Sequence, residues 1–318
     1  MASLENAQSD SIFRKYSSKQ AADYAKGRLE YPEALINLII NHHQSNNGQD
    51  GTLVDVGCGP GNATRMLAPH FDTVYGADPG ESMINAAQEL GGSTRSGASI
   101  KFIPSAAESI DEIEGIPHGS VDMITVATAA HWFDMPKFWT AAAKLLKSGG
   151  TVAIWTHCRH LDSFGKGTEV QAIFDDFRKE LAPYTAAASH LAHDGYVDLM
   201  MPWDDHSSAD LYHRQSFVRH ELTAEHGSKT TKGEQGDYSN KNSQTLDDKL
   251  QKLKKLVNTL GSVNRWQEAH PDLVGTKDDC VTILMDKVQK AVQNAGESID
   301  LSDLASRLTI ALLLVSRK

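Results

Sequence analysis

A carboxylate, a run of glycines and a second carboxylate define the chemistry open to this chain: Asp55-Val56-Gly57-Cys58-Gly59-Pro60-Gly61, then Asp78. Glycines in such a turn let the backbone approach a ligand that a Cβ would repel, and the N–H groups that open the following helix face that ligand. A carboxylate at 78 can accept hydrogen bonds from both hydroxyls of a ribose. Together these groups read as a cradle for a nucleoside-bearing cofactor.

The flanking residues supply the elements that must hold this cradle. The apolar run Thr52–Val56 predicts a buried parallel strand, Asn62–Ala68 predicts the helix it feeds, and Thr73–Ala77 predicts a second strand that brings Asp78 to the same sheet edge. A dinucleotide fingerprint, G-x-G-x-x-G, would require glycine at position 62, where Asn62 stands. The observed G-x-G-x-G, preceded by Asp55, resembles motif I of class I S-adenosylmethionine-dependent methyltransferases.

The resemblance extends along the chain. Asp78-Pro79-Gly80-Glu81-Ser82-Met83 resembles the second motif of that family, Ser105-Ala106-Ala107-Glu108 the third, and Val121–Val126 the fourth strand, followed by Ala130-His131-Trp132-Phe133 at the substrate mouth. It implies a cofactor site built from Asp55, Gly57, Cys58, Gly59 and Gly61 at the turn, Asp78 on the ribose, and Pro79, Met83, Ala106, Ala107 and Ala127. The N-terminal Tyr24-x-x-x-Arg28-x-x-Tyr31-Pro32, the pair His131-Trp132 and the late apolar run Leu308–Leu314 are similar to the fungal trans-aconitate methyltransferase-like branch. That branch usually carries Arg-Pro-x-Tyr-Pro, and Leu29 replaces its first proline here. In the resembling branch an arginine at the place of Arg28 lies near the cofactor carboxylate. Motif coverage is good over residues 13–160 and weak over 160–300.

The resemblance implies an α/β, Rossmann-like class I methyltransferase fold: a seven-stranded, mostly parallel sheet with a reversed last strand and a lid insertion. The expected organisation is an arm and helix over the cofactor cleft (1–48), a cofactor-binding core (49–160), a lid with helices and a sixth strand at Ser216–Leu222 (161–300), and a closing strand (301–318). Pro32 opens an amphipathic helix through Leu35, Ile36, Ile39 and Ile40. A helix over Lys137–Lys147 is expected to stop at Gly149-Gly150, with the fifth strand at Thr151–Trp155. Further helices are expected over 168–182, 246–260 and 278–294, and 225–245 reads as a mobile surface loop.

On the acceptor side, His131 follows the fourth strand and can orient an acceptor or remove its proton. Tyr16, Tyr24, Trp132 and Trp203 can wall a pocket, and Arg159, with His157 and His160, can draw an anion into it. Each has a plain alternative, as core aromatic, helix cap or solvated base. The expected reaction is O-methylation of a small-molecule carboxylate. A regulatory protein that keeps the fold to bind partners is the alternative from another class. A nicotinamide-dependent oxidoreductase is disfavoured by the missing third glycine and the lack of an evident Tyr-x-x-x-Lys pair.

Composition narrows the partners. A net charge of −10 over 318 residues argues against broad nucleic-acid or anionic-membrane binding. Cys58, Cys158 and Cys280 are widely separated and show no metal-ligand spacing, which fits free thiols, a reducing compartment and no metal. The N-terminus lacks a signal-peptide pattern, and Leu308–Val315 is far shorter than the roughly 20 residues a membrane helix needs. A cytoplasmic protein is expected.

Overall fold

The computed structural model describes residues 18–27, 31–158, 168–222, 245–295 and 309–318. Its centre is a sheet of β1 (Thr52–Val56), β2 (Thr73–Asp78), β3 (Lys101–Pro104), β4 (Val121–Ala127), β5 (Leu146–Cys158), β6 (Tyr212–Leu222) and β7 (Thr309–Arg317). The strand order is β3-β2-β1-β4-β5-β7-β6. Strands β1 to β5 pair in parallel, and β7 runs antiparallel to both β5 and β6. This is the mostly parallel class I methyltransferase sheet with its last strand reversed. The order turns round between β1 and β4, so their carboxyl ends open a crevice where α/β sheets bind ligands.

The central strands are apolar almost without interruption because both faces are covered. One face gathers Val54, Val56, Ile124 and Val126 with Phe138 and Trp139 of α5 (Met135–Leu145). The other gathers Leu53, Phe71 and Trp155 with Leu35, Ile36, Ile39 and Ile40 of α2 (Glu33–Ser45), the helix that begins after Pro32. Inside α2, His43 is wholly buried; Nδ1 lies 2.8 Å from the Thr151 hydroxyl and Nε2 2.9 Å from the Gln49 carbonyl, tying the helix to β5.

The remaining helices complete the scaffold. They are α1 (Ser18–Gly27), α3 (Asn62–Leu67), α4 (Glu81–Leu90), α6 (Glu169–Leu181), α7 (Ala187–His193), α8 (Leu246–Val257), α9 (Gly261–Ala269) and α10 (Cys280–Ala295). Helices α6, α8, α9 and α10 share a core of their own, with Phe174, Leu253, Val263, Trp266 and Leu284 at its centre.

Four boundaries differ from the sequence reading. Helix α5 begins at Met135 and ends at Leu145, because Asp134 caps it and Pro136 occupies its first turn. Gly149-Gly150 therefore lie inside the extended segment of β5 and do not stop the helix. Strand β6 starts at Tyr212, and its polar residues hide the early half. The register shifts between His213 and Val218, where the Ser216 hydroxyl donates to the His213 carbonyl at 2.7 Å and accepts from Ser316 N–H at 2.8 Å. The stretch expected as one helix over 246–260 ends at Val257, and α9 follows as a separate element. The segment 225–244 of the expected surface loop lies outside the described residues.

Candidate functional site

The crevice at β1 and β4 is the mouth of a cavity of about 500 Å³. Its floor is the glycine turn. Gly57 N–H and Cys58 N–H both donate to the Ala77 carbonyl, at 2.8 and 3.1 Å, so the turn is strapped to β2 before α3 begins. Gly59 has φ +54, and a Cβ built there would meet nothing within 4 Å. That open space is the approach path a ligand needs.

Asp78 stands at the end of β2 and bridges the glycine turn to the start of α4. Its Oδ2 accepts from Gly59 N–H at 2.9 Å and its Oδ1 from Gly80 N–H at 2.8 Å. The carboxylate thus sits at the cavity lining, fixed between the glycine turn and the start of α4. Pro79 and Met83 line the cavity beside it, with Ala107 at the start of a short 3-10 turn and Ala127 at the end of β4.

Four expected site residues lie elsewhere. Asp55 is wholly buried and never reaches the cavity; it accepts from the Thr64 hydroxyl of α3 at 2.5 Å and the Thr125 hydroxyl of β4 at 2.8 Å. It holds the turn from behind. Burial pushes its carboxyl up to about 6, against the two hydroxyl bonds that pull it down. Gly61 faces inward, where a Cβ would lie 2.8 Å from Phe102 ring carbons. Ala106 precedes the cavity-lining Ala107 and does not line the space itself. Trp203 packs edge-on against Phe217, at 5.2 Å between centroids, and carries the Arg214 guanidinium over its ring, so its indole is spent on the sheet edge. Tyr16, Arg28, Arg159 and His160 lie outside the described residues.

The other wall carries aromatic and basic side chains. Tyr24, His131 and Trp132 line it, the last two ring to ring at 4.6 Å. Arg178 of α6 and His190 and His193 of α7 also line it. Arg178 is held by Asp175 at 2.5 Å, one turn earlier on the same helix. Cys58 also lines the cavity, but burial and the Asp78 and Asp55 carboxylates push its thiol up, so it stays protonated and unreactive.

Several wall residues carried no signal in the chain. Thr128 lines the cavity with φ +55, a conformation that a β-branched residue rarely adopts. Its N–H donates to the Trp155 carbonyl at 2.7 Å, and its hydroxyl lies 3.1 Å from the Tyr31 hydroxyl. Tyr31 in turn stacks on the His157 ring at 5.0 Å. These contacts hold the strand end in a shape it would not take alone. Among the described residues no group of His, Cys, Asp or Glu is arranged to hold a metal ion, and no helix is long and apolar enough to cross a membrane.

Comparison with known proteins agrees with this geometry. Residues 54–154, which run from β1 into β5, match the family described as a methyltransferase domain. The chain is 33% identical over 165 residues to the Saccharomyces cerevisiae protein named "Probable S-adenosylmethionine-dependent methyltransferase CRG1", covering 52% of this chain and 50% of that one. It is 35% identical over 132 residues to methyltransferase AacuQ of Aspergillus aculeatus, covering 41% and 40%. The chain thus spans about half the length of these curated relatives. A solved structure from Anaeromyxobacter dehalogenans, described as a candidate type II methyltransferase, superposes with a TM-score of 0.51 at 20% identity, over 91% of this chain and 96% of that one. That likeness speaks for the fold.

Proposed function

We propose that this chain, with its mostly parallel sheet and matched methyltransferase domain, is a class I S-adenosylmethionine-dependent methyltransferase, that its cavity methylates a small molecule, and that the accepting group is a carboxylate. One observation carries the reading: a single cavity joins the glycine turn and Asp78 to Arg178 and the lid histidines. Its volume of about 500 Å³ falls in the range of small-ligand pockets, roughly 300–1,000 Å³. A macromolecular acceptor would need an open groove instead.

The residues present fit the cofactor. The open space at Gly59 accepts close backbone contact, Asp78 can take a ribose diol, and Met83 with Ala107 offers an apolar surface for a base. Bound there, S-adenosylmethionine supplies a methyl group already activated on a sulfonium. The chain's own work is then to align the acceptor and exclude water. An ionised carboxylate needs no general base, only donors that orient it. Arg178, which lines the cavity beside the lid histidines, is the cation placed for that role.

Asp78→Ala is expected to weaken cofactor binding by about 1.5–3 kcal/mol, the usual worth of a hydrogen bond to a charged group. Because Gly59 and Gly80 N–H also lose their acceptor, the melting temperature should fall as well. Calorimetry that finds unchanged affinity alongside the lower melting temperature would leave Asp78 a turn brace only.

Arg178→Ala is expected to raise the acceptor KM about 10-fold or more and leave cofactor affinity intact. A metabolite extract incubated with methyl-labelled cofactor tests the reading as a whole. A labelled small ester is the expected product. Label confined to protein or nucleic acid would reject it, and cofactor binding without any methyl transfer would favour a regulatory protein.

A further inference from the structure

Tyr196, a residue with no motif around it, stands behind the cavity wall against His131. It follows α7 after Gly195 and has φ +60, an uncommon backbone for a bulky side chain, fixed by its N–H donating to the Leu191 carbonyl at 2.8 Å. The ring is 1% exposed and packs within the same core as Phe138 and Trp139. Its hydroxyl lies 2.9 Å from Nδ1 of His131, whose imidazole lines the cavity.

A wholly buried phenol must give its proton to some acceptor. Two are within reach: His131 Nδ1, and the hydroxyl of Thr156, which itself donates to the His157 carbonyl at 3.1 Å. An imidazole nitrogen is far more basic than an alcohol oxygen, so the proton points to Nδ1. Once Nδ1 accepts, the neutral ring must carry its own proton on Nε2.

We propose that Tyr196 is a positioning residue that fixes His131 as the Nε2–H tautomer, making the imidazole a hydrogen-bond donor to the acceptor's oxygen and not the base that deprotonates it. This rests on the methyl-transfer reading of the cavity and narrows it. A donor suits an acceptor that arrives ionised, such as a carboxylate, and gives a phenol or ammonium acceptor no help in losing its proton. Burial pushes the Tyr196 phenol far up, so it stays protonated at neutral pH.

The test reads the tautomer first and activity second. In protein carrying 15N-labelled histidine, the His131 resonances are identified as those lost in His131→Gln and moved in Tyr196→Phe. At neutral pH the expected pattern is an unprotonated Nδ1 and a protonated Nε2, changing to a mixture of tautomers in Tyr196→Phe. A protonated Nδ1 in the wild type overturns the proposal, whether or not any methyl transfer is found. In activity assays, His131→Gln, whose amide can still donate from the end of the side chain, should stay within about 5-fold of wild type, while His131→Ala should fall about 50-fold. Equal losses in the two variants, or activity that rises with pH through an imidazole ionisation, would make His131 a base and reject the assignment.

Discussion

Gly59→Ala is expected to cost roughly 10- to 100-fold in cofactor affinity while Gly61→Ala, two residues along the same turn, costs mainly fold stability. At Gly59 the new methyl group would enter open space in the cavity and occupy the approach path of the ligand. Overpacking of this kind costs about 1–3 kcal/mol, and 1.4 kcal/mol is tenfold in affinity. The fold itself should lose only the strain of alanine at φ +54, about 1–2 kcal/mol. At Gly61 the methyl group would lie 2.8 Å from Phe102 ring carbons and from Arg65 Nη1, at φ +83. Those atoms are hemmed in, since Arg65 already donates to the Pro60 carbonyl at 2.8 Å. Denaturant melts and calorimetry on the two variants separate the effects. A Gly59→Ala protein that binds S-adenosylmethionine or its demethylated product normally would move the ligand off the turn.

The contrast between these glycines shows where the chain is legible and where it is not. The G-x-G-x-G spacing and the apolar runs at Thr52–Val56 and Val121–Val126 were enough to expect the sheet, because strands covered on both faces leave a continuous apolar signature. Which glycine faces the ligand and which faces Phe102 depends on a strand two positions away in the sheet, and no local pattern encodes that. Helix α9 was invisible for a different reason: it is short, begins at Gly261 and has no side-chain cap, so none of the usual start signals is present. The early half of β6 was hidden by His213, Arg214, Gln215 and Ser216, which a bulge allows at the sheet edge.

At the site, motif residues were easier to place than wall residues. Asp78, Met83, Ala127 and His131 sit at strand and helix ends that the motifs mark, and all four line the cavity. Arg178 forms an i, i+3 pair with Asp175 and reads in one dimension as an ordinary solvated ion pair. Tyr196 and Thr128 depend on backbone angles that their residue types disfavour, so propensity argues against them. Trp203 was read as able to wall a pocket, with core packing as its alternative, and Phe217 and Arg214 on β6 receive it instead.

Asp55 offers the clearest pH signature in the molecule. Its carboxyl is wholly buried and lifted to about 6 from an ordinary value of 3.8, because burial penalises the charged form more than the Thr64 and Thr125 hydroxyls reward it. For an acid with a raised folded-state value, the native state binds more protons than the unfolded chain between the two values, so stability falls as pH rises across that window. The contribution is fully present below about pH 4 and lost by about pH 6 to 7, a change of about 3 kcal/mol at 1.36 kcal/mol per unit. Asp55→Asn keeps the shape and cannot ionise; its amide can still accept from one threonine hydroxyl and donate to the other. The stability of Asp55→Asn relative to wild type is therefore expected to improve by about 3 kcal/mol between pH 4 and pH 7, since all other titrating groups cancel in the difference. Asp55→Ala should show the same pH trend displaced downward by the lost hydrogen bonds and the cavity left between β1, α3 and β4. A difference that stays flat across this range would mean that Asp55 ionises at its ordinary value, and that the turn is braced by a carboxylate the protein keeps charged without cost.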